Sequence, residues 1–164
     1  MNVFLDTNVV IDALTEREGL NHSSLRIFRM AACGDINGFI CCKQLTDIYY
    51  ILRDYYDTPK RRRLISFLID TLIVVSDSPL FMNRALQSKI PDLEDAFIDE
   101  VAKSVKGTYL VTKNVKDFAY SKNIVVTPKQ VLEYYDMEPN GLGKGILSLL
   151  KDVSDETNDD DDND

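Results

Sequence analysis

Five short apolar segments alternate with helical patterns along the chain, and this alternation is the feature that most constrains its fold. The predicted strands cover residues 3–6, 38–41, 72–75, 109–112 and 124–127. They are apolar almost throughout, which is typical of parallel strands in a sheet that is covered on both faces. The sequence therefore predicts an α/β fold, a three-layer sandwich with a five-stranded parallel sheet.

Glycine and proline residues mark the predicted helix ends. Gly34 ends a helix over residues 21–33 and Gly107 ends one over residues 92–106, because glycine adopts the left-handed backbone of a helix end at low cost. Pro59 and Pro79 lie where proline is favoured, in the first turn of a helix. Further helices are predicted over residues 9–14, 44–55 and 129–135.

The net charge of −8 is concentrated at the end of the chain. Residues 1–151 contain 19 acidic and 19 basic residues, whereas residues 152–164 contain eight acidic residues and no basic one. This last segment has a single apolar residue, Val153, so it cannot bury enough surface to fold. We predict a domain over residues 1–138, followed by a linker and an acidic disordered tail over 139–164. The domain itself is neutral, and a nucleic-acid ligand is not excluded.

The chain has one histidine, His22, and three cysteines, Cys33, Cys41 and Cys42, which form no CxxC pair. Zinc sites and histidine-dependent nucleophilic catalysis therefore lack their usual residues. The odd number of cysteines, with no signal peptide and no long apolar run, predicts a reduced cytoplasmic protein without membrane contact. Carboxylates remain as the groups that can carry out chemistry.

Acidic and amide side chains follow the predicted strands. Asp6 ends the first strand, Asp47 lies in the first turn of the helix after the second, and Asn114 and Asp117 follow the fourth. The carboxyl ends of parallel strands lie along one edge of a sheet, which is where ligands bind in open α/β folds. We therefore expect these four side chains to converge.

One predicted helix carries Asp92, Asp95 and Asp99 at positions i, i+3 and i+7, so the three lie on one face. Simpler roles are open to several of these acids. Asp6 and Asp92 could cap helices, Asp99 could belong to a solvated helix face, and Asp117 could hold its loop.

Oxygen ligands without histidine or cysteine favour a hard divalent cation, Mg²⁺ or Mn²⁺. Such a cation can activate water and neutralise charge on a phosphodiester, so the sequence predicts metal-dependent phosphodiester hydrolysis. The acids expected to be catalytic are Asp6, Asp47 and Asp95. The expected metal ligands are Asp6, Asp92, Asp95, Asp99, Asn114 and Asp117.

Three segments resemble the signature segments of PIN-domain nucleases. They are FLDTNVVID at residues 4–12, DLEDA at 92–96 and VTKNVKDF at 111–118, in the order of the family. The resemblance implies a five-stranded parallel sheet, a carboxylate cluster that binds Mg²⁺ or Mn²⁺, and cleavage of single-stranded RNA. It also implies a VapC-type toxin with an antitoxin protein as partner, and a homodimer is an open alternative.

Within this resemblance, Asp6 matches the first acid of the family and Asp95 the acid that opens the helix before the fourth strand. Asp47 lies where the family usually has a helical Glu. Asn114 stands where many members have an Asp. Because an amide can bind a metal ion but brings no charge, the resemblance leaves open whether the site holds one metal ion or two. The polar neighbours expected to hold these ligands in place are Thr7, Asn8 and Thr112.

A basic block at Lys60, Arg61, Arg62 and Arg63 is a candidate contact for an RNA backbone, and a solvated helix face is its simpler interpretation. The main alternative to an enzyme is a non-catalytic PIN-like module that binds RNA or a protein partner. Asn114 and the neutral domain favour that alternative.

Overall fold

The computed structural model describes residues 1–15 and 22–137. The strands are β1 (Asn2–Leu5), β2 (Asn37–Cys41), β3 (Ile73–Val75), β4 (Thr108–Val111) and β5 (Ile124–Val126). The helices are α1 (Thr7–Leu14), α2 (His22–Cys33), α3 (Cys42–Ile51), α4 (Thr58–Thr71), α5 (Pro79–Ala85), α6 (Leu93–Ser104) and α7 (Pro128–Met137), with 3-10 turns at Leu52–Asp54 and Val115–Phe118. The acidic tail and the domain boundary expected before it lie outside the described residues.

The five strands form one parallel sheet in the order β3-β2-β1-β4-β5. The predicted α/β fold with a five-stranded parallel sheet is confirmed. β1 lies at the centre and pairs with β4 in a register that places Leu5 beside Val111. Consequently the residues that follow these two strands, Asp6 and Thr112, lie side by side at the carboxyl edge of the sheet.

Helices cover both faces of the sheet, and the alternation of side chains along β1 shows why. Val3 and Leu5 point into a core shared with α1, α2, α3, α4 and α7, whereas Phe4 points into a second core with α5 and α6. Burial of each such side chain contributes about 1.5–3 kcal/mol. None of the described helices is both long and apolar enough to cross a lipid bilayer.

The helix ends differ from the prediction mainly around α3. Gly34 directly follows α2 with a φ angle of +80°, as its predicted role requires. The helix expected to end at Gly107 instead ends at Ser104, and Gly107, with a φ angle of +64°, lies in the turn before β4. The third helix, however, begins at Cys42 rather than near residue 44, because Gln44 and Cys41 form a capping box directly after β2. The early start shifts Asp47 from the first turn of α3 into the second.

Candidate active site

A cavity of about 540 Å³ opens at the carboxyl edge of the sheet. Its walls come from α1, the end of α3, the start of α6 and the loop after β4, and we call it the acidic cavity. The acidic and amide side chains that line it are Asp6, Asn8, Asp12, Asp92, Glu94, Asp95, Asn114 and Asp117. Five of the six expected metal ligands are thus brought together, from segments far apart in the sequence.

Asp6 lies at the bottom of the acidic cavity with only 4% of its surface exposed. Its Oδ2 accepts hydrogen bonds of 2.6 Å from the Thr112 hydroxyl and 2.6 Å from the Asn8 amide. The Asp6 side chain makes no capping hydrogen bond to α1. Asp6 thus occupies the N-cap position of α1, as the simpler interpretation expects, but the short hydrogen bonds to its carboxylate come from neighbouring side chains.

Gln44 is a fully buried polar residue that the sequence did not single out. Its amide nitrogen donates to the Leu5 carbonyl at 2.8 Å and to the Thr7 hydroxyl at 3.3 Å, while its oxygen accepts from the Cys41 backbone at 2.8 Å. These bonds tie β1 and the start of α1 to α3. The available signal was the position of a glutamine three residues after the end of a predicted strand.

Asp92 and Asp95 define the wall contributed by α6. Asp92 is the N-cap, and its Oδ1 accepts from the backbone N–H groups of Glu94 at 2.8 Å and Asp95 at 3.1 Å. The capping role is therefore real, and the same residue also lines the acidic cavity. Asp95 is half-buried in the first turn, where the helix dipole favours negative charge.

The carboxylates of the acidic cavity perturb one another. Burial raises the pKa of Asp6 above its ordinary value. The pKa of Asp95 rises to about 7, first because of burial and then because of the negative charges of Asp6, Asp92, Asp117 and Glu94. Such crowding of negative charge is what a bound divalent cation would relieve.

A lysine and a second buried aspartate complete the cavity wall. The Lys113 ammonium lies 2.8 Å from Oδ1 of Asp12, and the Ser24 hydroxyl donates to the other oxygen at 3.1 Å. The Lys113 backbone also donates to the Asn8 side chain at 3.2 Å. The pair was not predicted from the sequence, and the available signal was a lysine directly before Asn114 and after β4.

The structure does not bring Asp47 into the acidic cavity. From the second turn of α3 its carboxylate forms an ion pair with Lys43, four residues earlier. The Lys43 ammonium also lies 3.8 Å from Glu94, so the lysine stands between Asp47 and the cavity wall. The expected grouping of Asp6, Asp47 and Asp95 around one cation is therefore not formed, because Asp47 does not line the acidic cavity. Glu94 lines the cavity in its place.

Asp99 is also placed away from the other predicted ligands. Although it lies on the same helix as Asp95, it is one turn further on, about 6 Å along the helix axis. Its buried carboxylate accepts hydrogen bonds from Ser121 and, at 2.6 Å, from Asn123, and pairs with Lys103 at 2.6 Å. Asp99 thus anchors the loop before β5. It is neither in the acidic cavity nor on a solvated face.

The oxygen-only donor set fits the chemistry of Mg²⁺ or Mn²⁺. As the side chains stand, no three acidic residues within 1–15 and 22–137 are close enough to enclose an ion. Asn114 and Asp117 are exposed and line the same cavity as Asp6 and Asp95, so their side chains have room to change rotamer there. These four residues could therefore hold a divalent cation.

The basic block of residues 60–63 lies at the start of α4 and does not line the acidic cavity. The Lys60 ammonium lies 3.8 Å from the centre of the Tyr56 ring, and the Arg61 guanidinium lies 4.6 Å from the centre of the Tyr49 ring. Lys60 and Arg61 are therefore engaged in contacts with the loop before α4 and with α3, while Arg62 and Arg63 are exposed.

Several solved structures have the same fold. The VapBC2 structure from Rickettsia felis, bound to a promoter DNA fragment, matches at 17% identity with a TM-score of 0.59, over 77% of this chain and 98% of that one. A toxin–antitoxin complex from Klebsiella pneumoniae matches at 23% identity with a TM-score of 0.58, over 77% of this chain and 98% of the matched chain. DNA-bound VapBC from Salmonella typhimurium matches at 16% identity with a TM-score of 0.60, over 78% of this chain and 98% of the matched chain.

No curated protein matches the sequence. The model of the PIN domain family matches residues 2–116, which is well over half of the 164 residues. The matched range includes the Asp6, Asp95 and Asn114 side chains of the acidic cavity, and Asp117 follows directly after it. This chain belongs to the PIN domain family.

Proposed function

We propose that the chain is a metal-dependent endoribonuclease that hydrolyses single-stranded RNA in the acidic cavity. The observation that supports this proposal is the convergence of Asp6 from β1, Asp95 from α6, and Asn114 and Asp117 from the loop after β4 on one cavity. Membership of the PIN domain family supports the same reaction class.

Asp6, Asp95, Asn114 and Asp117 are the residues we propose as ligands of Mg²⁺ or Mn²⁺. When bound, the cation supplies charge neutralisation at the phosphodiester and activation of a water molecule. Asn114 contributes an oxygen without charge, so we expect this chain to hold one cation more tightly than any second one. Asp92 keeps its capping role and adds negative charge at the rim.

The surrounding residues orient the proposed ligands. Thr112 and Asn8 donate hydrogen bonds to Oδ2 of Asp6 and so hold its carboxylate in place. Asp92 fixes the first turn of α6 and with it the backbone of Asp95. Lys113 lies on the cavity wall with 43% of its side chain exposed, where its positive charge can attract a phosphate group.

The test is cleavage of an end-labelled single-stranded oligoribonucleotide in Mg²⁺ or Mn²⁺. We expect Asp6→Asn and Asp95→Asn each to lower the cleavage rate by about 100-fold or more, and EDTA to abolish cleavage. Asp70→Asn removes the same charge from an exposed position on α4 and should leave the rate unchanged. Cleavage that persists equally in all three variants would show that another site, or a contaminant, is responsible.

We further propose that the chain acts as the toxin of a toxin–antitoxin pair, with an antitoxin protein as its partner. The solved structures of the same fold include complexes described as toxin–antitoxin. The chain also exposes apolar side chains around α4 and β3, with Phe67 46%, Ile69 51% and Ile73 49% exposed, which suits a protein contact. Expression should arrest bacterial growth unless Asp6 is replaced, and co-expression of a small neighbouring reading frame should restore growth.

The alternative is a non-catalytic module that binds RNA or a protein, and the missing charge at Asn114 is the observation that favours it. Binding of RNA without metal-dependent cleavage would establish that alternative. The mass of the purified protein in solution, measured by light scattering, would decide whether the chain is a homodimer.

A further inference from the structure

Two further cavities share lining residues with the acidic cavity or with each other, and their lining changes from acidic to basic. The first, of about 370 Å³, shares Asp92, Asp95 and Asp117 with the acidic cavity and is also lined by Lys116 and Tyr120. Tyr120 also lines a larger cavity of about 680 Å³ between α5, α6 and the loop before β5. We call the surface of these two cavities the basic groove, and its defining residues are Arg84, Lys89, Lys103, Lys116, Tyr120 and Lys122.

Most positive charges of the basic groove are uncompensated. Lys103 is the exception, because it pairs with Asp99 and Glu100 at 2.6 Å each. Within the part of the chain that the structure describes, Arg84, Lys89, Lys116 and Lys122 have no carboxylate at ion-pair distance. Four side chains from different segments thus present free positive charge along one surface, as a polyanion requires.

Tyr120 lies where the two cavities of the groove meet, and 62% of its surface is exposed. An exposed aromatic ring beside positive charges is the arrangement on which unpaired bases stack in proteins that bind single-stranded nucleic acid. Bases of a duplex are already stacked on one another and are not available to such a ring. The arrangement therefore favours a single strand.

We propose that the basic groove binds the phosphate backbone of single-stranded RNA and leads it into the acidic cavity, with Tyr120 stacked on a base. This inference rests on the proposed function, because it assigns the path of that enzyme's substrate. An acidic protein segment would meet the same positive charges but would gain nothing from the tyrosine ring. The groove, rather than the block at residues 60–63, then supplies the main RNA contacts.

The test measures the binding of a fluorescein-labelled 12-nucleotide oligouridylate to the full chain. Binding is monitored by fluorescence anisotropy, with Ca²⁺ in place of Mg²⁺. Lys89→Gln combined with Lys122→Gln should weaken binding about tenfold at 0.1 M salt. The double variant should also reduce the slope of log Kd against the logarithm of the salt concentration by about 1.4, because each lost phosphate contact contributes about 0.7. Arg62→Gln combined with Arg63→Gln removes the same charge from exposed positions on α4 and should change Kd less than twofold.

The tyrosine is tested by a matched pair of variants. Tyr120→Ala should weaken binding about fivefold or more, whereas Tyr120→Phe keeps the stacking face and should bind like the wild type. The replaced side chains are exposed, so the melting temperatures should be unchanged, and this is measured for every variant.

Three outcomes would overturn the proposal. Equal affinity of the groove variants and the wild type would exclude the groove while leaving the proposed nuclease intact, provided that the wild type cleaves RNA. Competition by polyglutamate as strong as that by an RNA of equal charge would assign the groove to an acidic protein partner. A wild-type chain that neither binds nor cleaves single-stranded RNA would remove the proposed function and the groove proposal together.

Discussion

The Thr112 hydroxyl donates a 2.6 Å hydrogen bond to Oδ2 of Asp6 and so joins the ends of the two central strands. This contact follows from the sheet register, because Leu5 and Val111 are paired and the next residue of each strand lies at the same level. The bond orients the most deeply placed carboxylate of the acidic cavity. Thr112 is accordingly a positioning residue that acts through Asp6.

Replacement of Thr112 by valine keeps the shape of the side chain and removes the hydrogen bond to Asp6. It also removes the bonds that the hydroxyl accepts from the Asn114 backbone at 3.0 Å and from the Asn8 amide at 3.2 Å. We expect the free energy of unfolding to fall by about 1–2 kcal/mol. We also expect the affinity for Mn²⁺ to fall about 10- to 100-fold, because this is the usual effect of removing a group that orients a metal ligand. Urea unfolding and calorimetric titration with Mn²⁺ measure the two effects.

Thr108→Val is the control for this experiment. Its hydroxyl lies on the same strand and donates at 2.7 Å to the Val105 carbonyl, away from the acidic cavity. We expect a comparable loss of stability and no change in Mn²⁺ affinity. An equal loss of Mn²⁺ affinity in both variants would mean that general destabilisation, rather than the orientation of Asp6, is responsible.

The stability of the metal-free protein should depend on pH through Asp95. Its pKa of about 7 in the folded protein lies above its ordinary value of 3.8, so the folded state holds a proton that the unfolded state has lost. Stability therefore rises as pH falls from 8 to below 7. Asp95→Asn removes the repulsion from the facing carboxylates, which are Asp6, Asp92, Glu94 and Asp117.

In EDTA at pH 8 the Asp95→Asn variant should be more stable than the wild type by about 1 kcal/mol, a value that allows for the solvent screening of a half-buried carboxylate. For a domain of this size the melting temperature should rise by about 2–4 °C. The difference should shrink towards pH 5. A variant that is less stable than the wild type at pH 8 would contradict the assigned charge crowding.

Binding of a divalent cation should displace the proton from Asp95. The affinity for Mn²⁺ should therefore rise with pH, by about tenfold per unit below pH 7, and level off above it. Titrations between pH 5.5 and 8.5 measure this dependence, with Asp70→Asn as a control that should follow the wild type. A pH-independent affinity over this range would show that Asp95 is not a ligand.

Asp99 should be important for stability and not for chemistry. Asp99→Asn removes the buried charge that holds Ser121, Asn123 and Lys103, and we expect a loss of about 2 kcal/mol or more in the free energy of unfolding. Cleavage per folded molecule should stay within about threefold of the wild type, in contrast to Asp95→Asn. Comparable losses of activity in the two variants would place Asp99 in the active site.

The sequence was sufficient for the fold and for the residues that directly follow the central strands. Asp6 and Asn114 lie where the predicted strand ends place them, since a parallel sheet brings such positions together. Asp47 and Asp99 were predicted less well, because their positions depend on details beyond strand order. A capping box starts α3 early, and a lysine four residues before Asp47 pairs with it. Two of the three partners of Asp99, Ser121 and Asn123, come from a loop more than twenty residues later.

The basic groove could not be recognised from the sequence. Its charges come from the end of α5, from α6 and from the loop between β4 and β5, so they form no cluster along the chain. The contiguous block at residues 60–63 was the more conspicuous pattern, yet Lys60 and Arg61 pack over tyrosine rings. The block along the chain and the groove formed by the folded chain are therefore two different candidate surfaces, and only the first is visible in the sequence.

Anomalous scattering from a crystal soaked in MnCl₂ shows directly whether the acidic cavity holds a divalent cation, as we propose. We predict a Mn²⁺ peak in contact with carboxylate oxygens of Asp6 and Asp95, and no such peak in a crystal of the Asp6→Asn variant. A wild-type protein that cleaves RNA in Mn²⁺ but shows no peak between these two residues, or shows its peak elsewhere, would contradict the claim.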